Sequence, residues 1–428
     1  MKITPILNIN FKQPKQSINS LQFCSTPDST TFQNQNIDTK VLIQRGILKE
    51  KEDIDSFFDS ISNRIFKQDS KAKEFSSLLK EGIISLSSNC YDNLNNPQSA
   101  IGIILNPNKT TTQNIAKLEE YIKDGTGIGI NFNNFKNPIY LIKETNSYFK
   151  FREETTKRKP AGIALLNYTH PKIIDFITLK DNEEYKNWCF DLSIILPNDF
   201  IEKVDSNSDI ILDNKTTIKA KKLYETLLNS MLKKGEPGII FSSNPNFLCD
   251  SCAASELKEN ETLTLGQINL SKIYNNKIDY EKLKNSCETL SQAMKNIDSN
   301  SRIGVLGYAE LLEKMNLKYG SKEALDILEN SLKIIQQIAH KNGLKTAISP
   351  TGTISRLLKT TPSIEPKNNN DLTYEDEINT LAIAQKYTDC SISKTIILKQ
   401  NATVNEIDKI IRNCAKNNIK GICVYKPN

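Results

Sequence analysis

Residues 246–270 read NFLCDSCAASELKENETLTLGQINL, and this stretch decides how the rest of the chain is read. Cys249 and Cys252 stand in a polar loop that runs through a short acidic, helix-like segment into the apolar run 265–270. A zinc site would need a second ligand pair, but Cys287 is isolated and both histidines are distant. A thioredoxin-type dithiol would sit between a strand and a helix with small or aromatic spacers, a pattern that Asp250-Ser251 does not match well. Spacing alone therefore favours two free thiols.

Composition sets the class. A chain of 428 residues with 38% hydrophobic content can bury a large α/β core. No apolar run approaches membrane length, and MKITPILNINFKQPKQ lacks the apolar centre of a signal peptide. Nine cysteines without an export signal read as reduced thiols of a cytoplasmic protein. The net charge of +6 is spread over interspersed Lys and Glu, so neither a nucleic-acid stripe nor a membrane-binding face is expected, while small anionic ligands suit the bias.

Residues 1–40, rich in Asn, Gln, Ser, Thr and Pro, read as a disordered or loosely attached leader, and 41–428 as a single domain. Helical periodicity over 41–79 is carried by Ile54, Phe57, Phe58, Ile61, Ile65 and Phe66. A short strand follows at 83–90, ending in small polar residues and Cys90, where a lone thiol is ordinarily a packing group. Strands are expected at 100–105, at the end of the run 157–166 that begins with a basic cluster, at 190–197, after the turn that opens 235–241, at 391–398 and at 419–425, alternating with helices at 111–123, 322–340, 373–389 and from 404. The glycines of GTGIG at 125–129 permit close backbone approach, by a ligand or by another element, and packing is the plainer reading. Residues 303–312 read as a helix with glycines on one face, and 366–371 as a surface loop. His170, beside a proline at a helix entry, reads as a cap or packing group. The run 347–355 gives a strand, a hydroxyl-rich turn and a helix start, either a phosphate site or a capped turn without a ligand.

Taken in order, SSNC ending at Cys90, KDGTGIG ending at Gly129, HPKIIDFI from His170, FDLSIILPNDF ending at Phe200, GEPGIIF from Gly235, LGQINL ending at Leu270, GVLGYAELL ending at Leu312, SPTGTIS ending at Ser355 and the block 385–425 resemble the catalytic subunit of ribonucleotide reductases. The resemblance is closest to the adenosylcobalamin-dependent class II enzymes, since Tyr425 stands alone where the radical-relay class carries adjacent tyrosines. It implies an α/β fold, a ten-stranded α/β barrel with a central finger loop, and reduction of ribonucleoside diphosphates to deoxyribonucleotides for DNA synthesis with adenosylcobalamin as cofactor. It also implies that Cys252 at the loop tip becomes a thiyl radical and that Cys90 is a reducing thiol across the sugar. Pro350, Thr351, Gly352, Thr353 and Ser355 would hold substrate phosphates, with Ser88, Asn89 and Gly127 on the site wall and a homodimer as the assembly.

Three departures qualify the activity. The related loop reads Asn-x-Cys-x-Glu, with the glutamate as base, whereas this chain has Asp250, Cys252 and Ala254. Asp250 is the candidate shifted base and Glu256 a second one. The position of the second reducing thiol holds Leu263, and neither the usual C-terminal cysteine pair nor an N-terminal regulatory domain is expected from the residues read, so either Cys249 substitutes or electrons come from an external thioredoxin-like dithiol or formate. The alternatives are a radical enzyme with an altered outcome and a nucleotide-binding remnant of the reductase.

Overall fold

The computed structural model describes residues 37–156, 159–184, 187–367, 372–392 and 394–426. The leader thus lies outside the described residues except for its last four, where Asp38 N–H donates to Leu357 O at 2.8 Å and a helix begins at Lys40. Lys157, Arg158, Ser393 and the asparagine run at 368–370 also lie outside.

Strands β1 (Ile84–Leu86), β2 (Ala100–Ile104), β3 (Gly127–Asn131), β4 (Gly162–Asn167) and β5 (Phe190–Leu196) are followed by the small hairpin β6 (Asp209–Ile211) and β7 (Thr217–Lys219). Then come β8 (Gly238–Phe241), β9 (Leu248–Cys249), β10 (Glu256–Leu257), β11 (Thr262–Leu263), β12 (Leu265–Asn269) and a second small hairpin, β13 (Tyr274–Asn275) and β14 (Lys277–Ile278). The chain closes with β15 (Arg302–Leu306), β16 (Lys345–Thr346), β17 (Thr395–Ile397) and β18 (Gly421–Tyr425). Eight strands form one sheet in the order β11-β2-β3-β4-β5-β8-β18-β17, and four form another, β1-β12-β15-β16. From β2 to β8 every neighbour is parallel, and the strands read as unbroken apolar runs because helices cover one face and the interior lies against the other.

The two sheets are joined at both flanks. On one, only Thr264 separates β11 from β12, Ser99 N–H donates to Leu263 O at 2.9 Å, and Ser87 N–H donates to Leu265 O at 2.8 Å. On the other, a parallel bridge pairs Ile348 with Ile392. The hairpin β9/β10 stands between the sheets. Phe247 and Cys249 pack on Ile163, Leu165, Ile195 and Ile240, while Leu257 packs on Ala100, Leu263, Leu265 and Ala347. This is the expected α/β architecture with its finger loop.

Helices Thr111–Ile122, Pro138–Glu153, Ala220–Lys234, Tyr280–Ile297 and Lys322–Lys341 supply the outer layer. Each start or stop has a local cause: Thr110 and Gln113 form a capping box, Pro138 opens its helix, and Gly235 at φ 73° ends another. No described helix is long and apolar enough to cross a membrane.

Several sequence expectations are corrected. The 41–79 helical region is three helices, Lys40–Gln44, Ile54–Ile65 and Asp69–Lys80, with the Asp53 side chain accepting from Ser56 N–H at the second start. Residues 303–312 are not one helix: Ile303–Leu306 lie in β15, Gly307 turns the chain at φ 74°, and the helix begins at Tyr308. A Cβ at Gly304 would stand 2.7 Å from the Gln267 carboxamide oxygen, so that glycine serves a close strand contact. The acidic segment after Cys252 is a hairpin, because Asp250 and the strand pairing claim its backbone groups before a helix can. Cys90 sits on the short helix Ser88–Asp92 just beyond β1.

Candidate active site

Three glycines make room for the finger. A Cβ at Gly102 would stand 3.1 Å from the Cβ atoms of both Leu248 and Leu257; one at Gly127 would overlap the Ser251 side chain, and one at Gly129 the Cys249 carbonyl. The amide of Asn131 then donates to Pro245 O and Phe247 O, both at 3.0 Å, fixing the base of the hairpin. The GTGIG signal is thus explained by backbone approach of the finger.

Asp250 organises the tip. Its N–H donates to Ser255 O at 3.1 Å, its carbonyl accepts from Ala253 N–H at 3.0 Å, and its Oδ1 accepts from Ser255 N–H at 3.0 Å. Oδ2 accepts from the Cys252 thiol at 2.9 Å. Ala253 takes φ 58°, a left-handed conformation uncommon for a residue with a side chain, and its carbonyl accepts from the Ser391 hydroxyl. Burial raises the Asp250 carboxyl above its ordinary value, against the lowering effect of the Cys252, Ser255 and Ala254 contacts. Burial, and then the Asp250 charge, hold the Cys252 thiol well above the ordinary range. Cys252 is therefore an S–H group at neutral pH, and it is half-buried rather than enclosed.

Cys90 is fully buried and burial pushes its thiol up to about 12. Its Sγ lies 3.3 Å from Ser87 Oγ, which accepts from Ser99 Oγ at 2.9 Å. The Ser99 carbonyl accepts from Gly127 N–H at 3.0 Å, and Gly127 faces Ser251 beside Cys252. These contacts tie both thiols to the N-terminal ends of β2 and β3. On the same wall, Ser88 Oγ accepts from Arg45 at 3.3 Å, and Asn89 Nδ2 donates to Gln98 O at 2.7 Å.

The other wall is reached through Ser391. The next residue, Ile392, bridges Ile348, and the chain runs on through Ser349 and Pro350 to the helix Gly352–Leu357. Ser349 Oγ and Thr351 Oγ1 are buried hydroxyls without partners among the described residues, whereas Ser355 Oγ is spent on Gly352 O at 3.1 Å. Pro350, Gly352 and Thr353 are half-buried. The finger tip thus lies between the Cys90 side and the 349–353 turn.

The remaining candidates separate. Cys249 is buried in the apolar layer with Phe247 and Ile163 and is raised by burial, while Cys90 belongs to the main core. Glu256 is exposed opposite Cys249 in the hairpin. Ala254 and Leu263 are fully buried apolar groups. His170 is a satisfied core group: Nδ1 accepts from Lys172 N–H at 3.0 Å, so Nε2 donates to Phe135 O at 3.0 Å, and burial lowers its pKa. Sequence reading assigned no role to Ser99, Ser391 or Gln267; the last two lie in runs quoted for the resemblance, but as common residue types they carry no signal of their own. No cluster of His, Cys, Asp and Glu suited to a metal occurs among the described residues. Two surface hollows of about 340 and 350 Å³, one beside Glu74 and Asp279 and the other beside Asn106 and Lys117, lie apart from these cysteines.

Residues 109–347, more than half of the chain, match the profile of the ribonucleotide reductase barrel domain. The vitamin B12-dependent ribonucleoside-diphosphate reductase of Thermoplasma acidophilum is 24% identical over 71% of this chain and 58% of its own length. The protein of the same name from Mycobacterium tuberculosis is 23% identical over 63% of this chain and 57% of its own. The chain therefore spans somewhat over half the length of these relatives. Among solved structures, the class Id ribonucleotide reductase alpha subunit of Actinobacillus ureae superposes with a TM-score of 0.74 at 15% identity, covering 93% of this chain and 98% of that one, which shows a shared fold.

Proposed function

Because the chain belongs to the ribonucleotide reductase family through its barrel domain, we propose that it reduces ribonucleoside diphosphates to deoxyribonucleotides by a thiyl radical at Cys252, with adenosylcobalamin as cofactor. The observation that carries this reading is the placement of the Cys252 S–H at the tip of a hairpin enclosed by two sheets, with Cys90 tied to one side and the 349–353 turn to the other. The relatives named as vitamin B12-dependent support the choice of cofactor.

The tip suits cobalamin in one respect: Cys252 is partly exposed, whereas Cys90 is sealed. Ser251, Cys252 and Ala253 would face the cofactor, and when bound it supplies the removal of the thiol hydrogen atom. The chain's own residues do the rest. Cys252 takes the 3′ hydrogen of the ribose and returns it at the end. Asp250, a buried carboxylate beside that thiol, accepts the 3′ hydroxyl proton through a small rotation, the place of the related glutamate being held by Ala254. Cys90, held protonated by burial, gives the proton with which the 2′ hydroxyl leaves as water. The net change consumes two electrons and two protons. Since Leu263 is apolar and Cys249 lies in another layer, a thioredoxin-like dithiol or formate supplies the electrons.

Anaerobic incubation of the full chain with adenosylcobalamin, a nucleoside diphosphate and either dithiol or formate is expected to yield deoxynucleotide, and Cys252→Ala to abolish it. Zero turnover, unchanged by the substitution, would rule the reading out. Ala254 and Leu263 favour one second reading, radical chemistry without net reduction. It predicts hydrogen exchange at the sugar without a reduced product.

A further inference from the structure

We propose that Gln267, together with Ser349, forms a hydrogen-bonding strip that reads the phosphate arm of the ribonucleotide, an inference that rests on the reductase reading above. Gln267 lies in the middle of β12, paired with Ser85 on one side and Gly304 on the other. Its direction follows from its neighbour: a Cβ at Gly266 would run into Met294 and Leu290 of the covering helix Tyr280–Ile297, so Gly266 faces outward and Gln267 inward. The carboxamide lies over Gly304, whose added Cβ would come within 2.7 Å of Oε1 and 3.0 Å of Nε2. That same point is in contact with the Ala347 carbonyl, which places the carboxamide beside the strand leading to Ser349.

Gln267 is 1% exposed, yet neither Oε1 nor Nε2 has a partner among the described residues. Ser349, 3% exposed, carries an unpartnered hydroxyl two residues beyond Ala347, and Thr351 carries another two residues further on. Burying a carboxamide and hydroxyls without partners disfavours the folded state, and an aliphatic side chain would fill the same space without that penalty. Gln267 and, two and four residues beyond the Ala347 it adjoins, Ser349 and Thr351 make three such groups, a set that a ligand would complete. The two N–H groups of Gln267 and the two hydroxyls are donors, and phosphate oxygens are the acceptors a nucleotide brings. Oε1 remains to accept from a ribose hydroxyl or from water. Ser391 and Ile392 fasten this wall to the finger tip, so a ligand gripped here has its sugar directed toward Cys252.

The test is calorimetric binding of adenosine diphosphate and of adenosine to the full chain, in the wild type, Gln267→Met and Ser349→Ala, with thermal unfolding of each without nucleotide. Gln267→Met is expected to weaken diphosphate binding by about tenfold and leave adenosine within about twofold. Its midpoint of unfolding should rise by about 1–3 °C, because an unpartnered carboxamide has been removed. Ser349→Ala should shift both quantities in the same directions by smaller amounts. Wild-type diphosphate affinity in Gln267→Met, or a lowered midpoint with unchanged binding, overturns the strip alone. Equal weakening of both ligands overturns the phosphate assignment. Failure of the wild type to bind the diphosphate removes the reductase reading, and the strip's role with it.

Discussion

Asp250→Asn isolates the interaction at the centre of the finger. In the wild type, Oδ2 accepts the Cys252 S–H at 2.9 Å in a buried setting, and the carboxylate opposes loss of the thiol proton. Asparagine keeps the shape and an acceptor oxygen for the Ser255 amide but removes the charge. A hydrogen bond to a charged partner contributes about 1.5–3 kcal/mol, and each 1.4 kcal/mol is about tenfold in an equilibrium. The thiolate fraction at a fixed pH, and with it the rate of alkylation, should therefore rise about ten- to a hundredfold. Alkylation of Cys252 at about pH 8, followed by mass spectrometry of its peptide, reads that rate directly. Cys90 serves as an internal control, because its thiol is sealed and pushed up to about 12 by burial rather than by Asp250. An unchanged or lower rate at Cys252 would refute the claim that Asp250 holds this thiol protonated.

Gly129→Ala places a methyl group on the Cys249 carbonyl, so it should displace the finger, cost about 1–3 kcal/mol of stability and abolish nucleotide reduction; denaturant unfolding and turnover check both. Leu263→Cys should form a disulfide with Cys90 under mild oxidation, seen as the loss of two hydrogens in the intact mass, because Leu263 O binds Ser99 N–H and Ser99 binds the Ser87 hydroxyl beside the thiol. His170 is held neutral by burial, so the unfolded chain binds the extra proton as pH falls below about 6.5, and the stability His170 contributes is complete above that pH and lost below it. His170→Asn should flatten the decline in unfolding midpoint between neutral and mildly acidic pH.

Much of the architecture could be read from the chain because its strands are buried on both faces. The runs at β4, β5 and β8 have no solvent-facing alternation to confuse them with amphipathic helices, and their spacing by helical patterns implies parallel pairing. Where this logic fails, a tertiary partner decides. Residues 303–312 carry strong helix formers, but Gly304 serves the contact with Gln267 of β12 and with Ala347, which follows β16. The finger likewise has helix-forming residues after Cys252, and the bonds from Asp250 to Ser255 and from Ser391 to Ala253, together with the β9–β10 pairing, bend them into a turn. Cys249 and Cys252 look equivalent in sequence. Cys249 is the last residue of β9 and points into the apolar layer of Ile163 and Ile195, whereas Cys252 lies in the turn beyond it, at the tip. Gln267 and Ser349 fall inside LGQINL and SPTGTIS, but nothing in either run marks them out, since the strip consists of polar atoms defined by their lack of neighbours.

The central claim is that Cys252 is the hydrogen-abstracting group. Freeze-quenched electron paramagnetic resonance of the full chain, mixed anaerobically with adenosylcobalamin and a nucleoside diphosphate, addresses it most directly. The account predicts a cobalt-coupled thiyl signal in the wild type that is lost in Cys252→Ala and kept in Cys249→Ala. No signal in the wild type, or one that survives Cys252→Ala, would contradict it.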